Sequence, residues 1–122
     1  MISQKYCVNE RETIKSAISV IHKDRMRCSL VMNDQQQLVG VFSEGDVIRI
    51  LLKGIEIHTP LNAVISPSFH YLKEKNMLKA YKLVKKEALT LIPVVDDDFN
   101  LIDVITILDV MEHLRFENVN QS

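Results

Sequence analysis

Leu38-Val39-Gly40-Val41-Phe42-Ser43-Glu44-Gly45-Asp46-Val47 returns later in the chain as Leu101-Ile102-Asp103-Val104-Ile105-Thr106-Ile107-Leu108-Asp109-Val110. The register has no gap, because 101 − 38 and 109 − 46 both equal 63. A repeat of this length is a supersecondary unit whose apolar face cannot be buried alone, so two copies imply one shared core. The repeat also duplicates a hydroxyl–x–x–carboxylate element at the end of an apolar run: Ser43 with Asp46, and Thr106 with Asp109. Two related copies that face each other enclose a cleft, and a cleft can hold a ligand.

The same offset holds outward from this stretch. Ile14, Ala17, Ile18 and Ile21 follow the i, i+3, i+4, i+7 spacing of a helix with one buried face, and Met77, Ala80, Tyr81 and Val84 repeat it. Thr13 and Asn76 stand just before these helices as N-caps. Leu30-Val31-Met32 and Pro93-Val94-Val95 each precede a polar turn and then the quoted apolar run, which reads as a β-hairpin. A further helix follows each hairpin, carrying Val47, Ile50 and Leu51 or Val110, Met111 and Leu114. With initial strands near Tyr6–Val8 and His70–Leu72, the unit is β-α-β-β-α. The first unit covers 6–53 and the second 68–116 of a single 1–122 module. The connector 54–67 is broken by Pro60 and Pro67, and the polar tail from Glu117 to Ser122 is expected to fray.

Composition bounds the function. A chain of 122 residues with 47% hydrophobic and 25% charged residues is an ordinary globular domain with one core. A formal charge of −1 offers no electrostatic footprint for nucleic acid or an anionic membrane, and no apolar stretch is long enough to span a bilayer. Met1 to Tyr6 lack the apolar core of a signal peptide, and Cys7 and Cys28 read as reduced thiols, so a cytoplasmic location is expected. The four histidines are scattered, and no Ser–His–Asp or Cys–His constellation is arguable, so neither catalytic nor metal-ligating residues are expected. Asp96-Asp97-Asp98 lacks the spaced ligands of a calcium loop and reads as a solvated hairpin turn. Lys75, Lys79, Lys82, Lys85 and Lys86 read as the solvated face of a helix.

The tandem β-α-β-β-α order, with Ile92-Pro93-Val94-Val95-Asp96 before the second turn, resembles a pair of cystathionine-β-synthase (CBS) domains over nearly the whole chain, Val8 to Leu114. Gly45-Asp46-Val47-Ile48-Arg49-Ile50-Leu51-Leu52-Lys53-Gly54, followed by Pro60-Leu61-Asn62-Ala63-Val64-Ile65, is similar to the first repeat of pairs joined to sugar-phosphate nucleotidyltransferases and isomerases. The resemblance implies an α+β fold in which the repeats pack about a pseudo-two-fold axis. It also implies a non-enzymatic regulatory module that requires no cofactor and binds an adenosine nucleotide, AMP or ATP, as effector. Such a module is often a dimer of pairs, and its partner would be one of those sugar-phosphate enzymes. Ligand-free dimerisation or docking, and sensing of a sugar nucleotide, are the competing expectations.

Residue chemistry supports a nucleotide. Free N–H groups and the helix dipole favour a phosphate after Ser43, Gly45 leaves the backbone open, and a carboxylate three residues on can accept both hydroxyls of a ribose. By the family's pattern Ser43 and Thr106 take the phosphate side, and Asp46 and Asp109 the ribose side. Residues near Cys28–Leu30 and Leu91–Pro93 are expected as walls for the base. Arg49 lies one turn beyond Asp46 as a phosphate cation, with Lys53 a turn further. His113 stands four residues after Asp109, and Arg25 and Arg27 precede a strand without a readable orientation. The same Ser/Thr-x-x-Asp spacing is that of a capping box, in which the side chains only satisfy helix N–H groups. The first motif is favoured, because the second has Asp103 in place of Gly40 and Ile107-Leu108 in place of Glu44-Gly45. Ile48 and Leu52 are expected on a homodimer face.

Overall fold

A computed structural model describes residues 4–121, with side chains described as far as Phe116. Its elements are β1 (Cys7–Asn9), α1 (Ile14–Asp24), β2 (Cys28–Met32), β3 (Leu38–Ser43), α2 (Glu44–Leu52), α3 (Met77–Glu87), β4 (Leu91–Val95), β5 (Leu101–Thr106) and α4 (Ile107–Gln121). The first sheet runs β1-β2-β3, with β1 parallel and β3 antiparallel to β2; the second is the β4-β5 hairpin. The α+β repeats expected from the 63-residue offset are therefore present.

Their local chemistry is duplicated as well. Thr13 Oγ1 accepts the Ser16 N–H at 3.2 Å, and Asn76 Oδ1 accepts the Lys79 N–H at 3.0 Å, so each repeat's first helix has its N-cap. The same helices end on left-handed residues, Arg25 at φ 59° and Ala88 at φ 54°. Both hairpins turn on left-handed residues, Gln36 and Phe99, at φ 63°. In the second turn the Asp96 carboxyl, held below the usual range first by the Asn100 side-chain amide at 3.0 Å, also accepts the Asn100 and Asp98 N–H groups, each at 2.9 Å. Asn33 does the same for Gln35 and Gln37.

The repeats pack sheet to sheet. Cys28, Leu30 and Met32 of β2 meet Leu91 and Val95 of β4 in a central cluster that also takes Tyr6 and Leu38. The alternate residues turn outward onto each repeat's own helices: Val31 joins Ile14, Ala17, Phe42 and Ile50, while Ile92 and Val94 join Ala80, Ile105 and Val110. Covered on both faces, β2 and β4 are buried at every residue. At one edge Gln37 pairs with Asn100, and the Leu38 N–H reaches the Phe99 carbonyl at 2.8 Å. Gln37 and Asn100 are themselves equivalent positions (100 − 37 = 63), so this bridge lies on the pseudo-two-fold axis.

Two expectations are modified. The strand expected at His70–Leu72 shrinks to one parallel bridge, Leu72 to Val94. Leu72 donates to Pro93 O at 3.0 Å and accepts from Val95 N at 2.8 Å. Pairing back to His70 needs an N–H that Pro93 lacks. The connector packs on the first repeat: Leu61 is fully buried in its core. The Thr59 and Ile57 carbonyls accept the Ile14 and Lys15 N–H groups at 3.0 and 2.9 Å, satisfying free donors of α1. The tail expected to fray stays helical to Gln121; Ser122 and the side chains from Glu117 on lie outside the described residues.

Candidate functional site

The β3–α2 junction carries the first motif. The Ser43 hydroxyl accepts the Asp46 N–H at 3.3 Å, and the Ser43 N–H donates to Asp46 Oδ2 at 2.8 Å, closing a capping box. The hydroxyl also lies 3.0 Å from the same carboxylate oxygen. The second motif repeats this pattern: Thr106 N–H to Asp109 Oδ2 at 2.8 Å, and Asp109 N–H to Thr106 Oγ1 at 3.2 Å. Capping therefore operates in both repeats.

A cleft of 260 Å³ opens between the repeats beside the first motif. Cys28, Val41, Ser43 and Gly45 line it from the first repeat, with Arg27 and Glu44 on the same side. Ala88, Leu89, Thr90 and Leu91 close it from the second repeat. Of the expected base walls, Cys28 and Leu91 line this space. Leu30 goes to the central cluster and Ile92 to the second repeat's core. Burial, reinforced by the nearby Asp24 carboxylate and opposed by a Thr90 hydrogen bond, pushes the Cys28 thiol up to about 12. At neutral pH it is an uncharged, apolar part of the wall. The Thr90 hydroxyl also donates to the Met26 carbonyl, tying the second repeat to the bend that leads through Arg27 into β2.

Ser43 and Gly45 thus meet at the cleft, whereas Asp46 and Arg49 line a separate cavity of 240 Å³ with Lys53, Ile55, Ala63 and Val64. Arg49 forms an ion pair with Asp46 there. The cation that does line the cleft is Arg27, whose guanidinium has no hydrogen bond or ion pair among the described residues. Arg27 adopts φ 64°, and its carbonyl accepts the Glu44 N–H at 3.0 Å, which seats it against the start of α2. Sequence periodicity could not orient it, because a left-handed residue between a helix cap and a strand follows neither repeat. The signal available was positional: its counterpart is Thr90 (90 − 27 = 63), and the Thr90 carbonyl accepts the Ile107 N–H at 2.7 Å in the same way.

The two repeats also differ at the third residue of β3 and β5. Gly40 is buried against the connector, and a Cβ there would stand 3.2 Å from Ile65 Cδ1 and 3.4 Å from the Ser66 carbonyl. Its counterpart Asp103 turns aside, accepting the Val104 N–H at 2.8 Å and lying 3.5 Å from Lys75 Nζ. Among the described residues no helix is long and apolar enough to cross a membrane, and no group of three His, Cys, Asp or Glu is placed to hold a metal.

Two halves of one topology, an open cleft between them and paired Ser/Thr-x-x-Asp junctions define a tandem-repeat α+β fold. A family model for the CBS domain matches residues 1–53 and 64–115; the chain belongs to the CBS-domain family and carries two copies. It is 30% identical over 105 residues to an uncharacterised protein of Rickettsia prowazekii, a match covering 85% of this chain and 32% of that protein. It is 32% identical over 80 residues to the arabinose 5-phosphate isomerase GutQ of Escherichia coli, covering 65% of this chain and 25% of the isomerase. The chain thus spans about a third or less of these curated relatives. A CBS domain protein of Pyrobaculum aerophilum complexed with AMP superposes with a TM-score of 0.70 at 18% identity, covering 90% of each chain.

Proposed function

We propose that this CBS pair is a non-catalytic regulatory module that binds an adenosine mononucleotide reversibly in the cleft beside Ser43. The observation that carries this reading is the composition of that cleft: both repeats build it, Ser43 and Gly45 stand at its helix end, and the unpaired Arg27 guanidinium supplies a cation. Its 260 Å³ lies near the lower end of small-molecule sites, which suits a mononucleotide better than a dinucleotide. The AMP carried by the Pyrobaculum protein supports the same ligand class. Ser43, Gly45 and Arg27 take the phosphate side, while Asp46, expected on the ribose side, lines the neighbouring cavity and acts by holding the Ser43 hydroxyl through Oδ2. Arg49 acts through its ion pair with Asp46. Thr106 and Asp109 form the equivalent, less open position.

Regulation follows by population shift. A ligand touching both repeats stabilises the arrangement in which they close on it, by no more than its difference in affinity between the two states. The module presents that arrangement to a second copy of itself and to a sugar-phosphate enzyme, the partner class suggested by the isomerase match. A second reading, a docking module without ligand, draws on the capping boxes, since Ser43 and Asp46 already satisfy each other. A thermal-shift titration with AMP, ADP, ATP, S-adenosylmethionine and a sugar nucleotide separates the two. At a hundredfold excess over Kd, a specific ligand stabilises the fold by about 2.7 kcal/mol. A saturable shift with one adenosine ligand is expected; a flat response to all five selects the docking module, and a response to the sugar nucleotide alone makes the chain a sensor of that class.

A further inference from the structure

Four N–H groups at the start of α2 have no partner inside the helix, and three of them are already taken. The Ser43 N–H goes to Asp46 Oδ2 at 2.8 Å, the Glu44 N–H to the Arg27 carbonyl at 3.0 Å and the Asp46 N–H to the Ser43 hydroxyl at 3.3 Å. The fourth belongs to Gly45. A Cβ on Gly45 would meet one neighbour, Ser43 Oγ at 3.6 Å, so the approach to that N–H is open. The Ser43 hydroxyl is held by Asp46 Oδ2 at 3.0 Å and is shared with that carboxylate. The donors that face the cleft are thus the Gly45 N–H, the shared hydroxyl and the Arg27 guanidinium. They match the three outer oxygens of one phosphate and leave nothing for a second.

Glu44 opposes anything longer. It lines the cleft together with Arg27, and the same two residues line an adjoining groove of 630 Å³ that holds His22 and Arg25. A phosphate chain that leaves the cleft toward those cations passes the Glu44 carboxylate. Glu44 has no ion pair among the described residues, so its charge is uncompensated until Arg27 turns to it. Its counterpart at the 63-residue offset is Ile107 (107 − 44 = 63), so the acid is not part of the frame that the repeats share.

We infer that Glu44 restricts the cleft to a nucleotide with a single phosphate, so that AMP is preferred over ADP and ATP. The inference rests on the nucleotide reading of the cleft and adds the residue that sets its phosphate number. One phosphate takes Arg27 and the Gly45 N–H and ends there. Each further phosphate adds like charge beside Glu44 after the only cation lining the cleft has been used.

Isothermal titration calorimetry of the full chain with AMP, ADP and ATP tests this, in EDTA so that no divalent cation neutralises the phosphates. AMP is expected to bind about fivefold more tightly than ATP, with ADP between them. Raising the salt is expected to shrink that preference in the parent chain, a readout that needs no variant. Glu44→Gln removes the charge at nearly constant size, and in it the preference is expected to disappear. Glu44→Asp keeps the charge and is expected to keep the preference; circular dichroism checks the folding of both. ATP bound as tightly as AMP by the parent chain overturns the role of Glu44 and spares the cleft reading. So does a preference that is indifferent to salt, survives Glu44→Gln or vanishes in Glu44→Asp. Binding of none of the three nucleotides overturns both.

Discussion

The two repeats share their frame and differ at their mouths. N-caps at Thr13 and Asn76, left-handed helix ends at Arg25 and Ala88, hairpin turns at Gln36 and Phe99, and capping boxes at Ser43–Asp46 and Thr106–Asp109 all coincide at the 63-residue offset. Elsewhere the offset matches Arg27 with Thr90, Gly40 with Asp103, Glu44 with Ile107 and Gly45 with Leu108. A feature present in both repeats belongs to the fold, so the capping box by itself does not mark a ligand site. The residues that break the symmetry carry the proposed ligand site. They give the first repeat an open backbone and an unpaired cation, whereas the second has bulk and a self-satisfied carboxylate.

Exchanging the residues that break the symmetry attacks this contrast most strongly at Gly40. Gly40→Asp places a carboxylate against the Ile65 side chain and the Ser66 carbonyl in a buried position. It is expected to cost about 3 kcal/mol in urea denaturation. The reverse change, Asp103→Gly, removes a half-exposed ion pair and is expected to cost about 1 kcal/mol or less. Equal costs would mean that the connector does not distinguish the two strands.

Next in size is the choice of cation. Arg27→Ala is expected to weaken AMP binding about tenfold, the loss of one charge-assisted contact worth about 1.4 kcal/mol. Arg49→Ala, which touches the ligand only through Asp46, is expected to stay within about threefold in the same calorimetry. A reversed order would return the phosphate to the α2 face that bears Lys53.

The capping boxes sharpen the contrast from the other side. Asp46→Ala and Asp109→Ala are each expected to lower stability by about 1 kcal/mol, since each opens one box. Only Asp46→Ala is expected to reduce AMP affinity. Loss of affinity in both variants would mean that both repeats bind.

The smallest effect concerns the ends of α1 and α3. Among the described residues Asp24 Oδ2 is buried without a hydrogen-bond partner, and burial raises its carboxyl despite the Met26 N–H and Lys5. Its counterpart Glu87 instead lies 3.5 Å from His70 Nε2. A carboxyl raised on folding holds protons that the unfolded chain has lost, so its effect favours the fold at low pH and fades as pH rises through the folded value. Asp24→Asn is therefore expected to gain stability relative to the parent at pH 7, and to lose that advantage as pH falls into the carboxylate range. A pH-independent difference in urea midpoint would remove the role of burial there.

Most of the frame was legible because helices and hairpins announce themselves by period and cap, and the offset let each repeat check the other. The strand at His70 was misjudged because its length depends on a donor in another strand, and only the pairing register shows that Pro93 withholds it. The connector's role stayed hidden because Leu61 carries no periodic signal of its own, yet it fills the first core. At the site, Ser43 and Gly45 were readable from the repeated junction. Their separation from Arg49 was not, because Asp46 and Arg49 sit on the α2 flank that turns toward Ala63 and Val64.

The most direct measurement is the stoichiometry of AMP binding to the full chain by isothermal titration calorimetry, repeated on Leu108→Gly. One AMP per chain, unchanged in affinity when Leu108 is removed, is the expected result for a ligand held in the first repeat's cleft. Two equal sites per chain, or a single site whose affinity follows Leu108 and ignores Arg27, would contradict it.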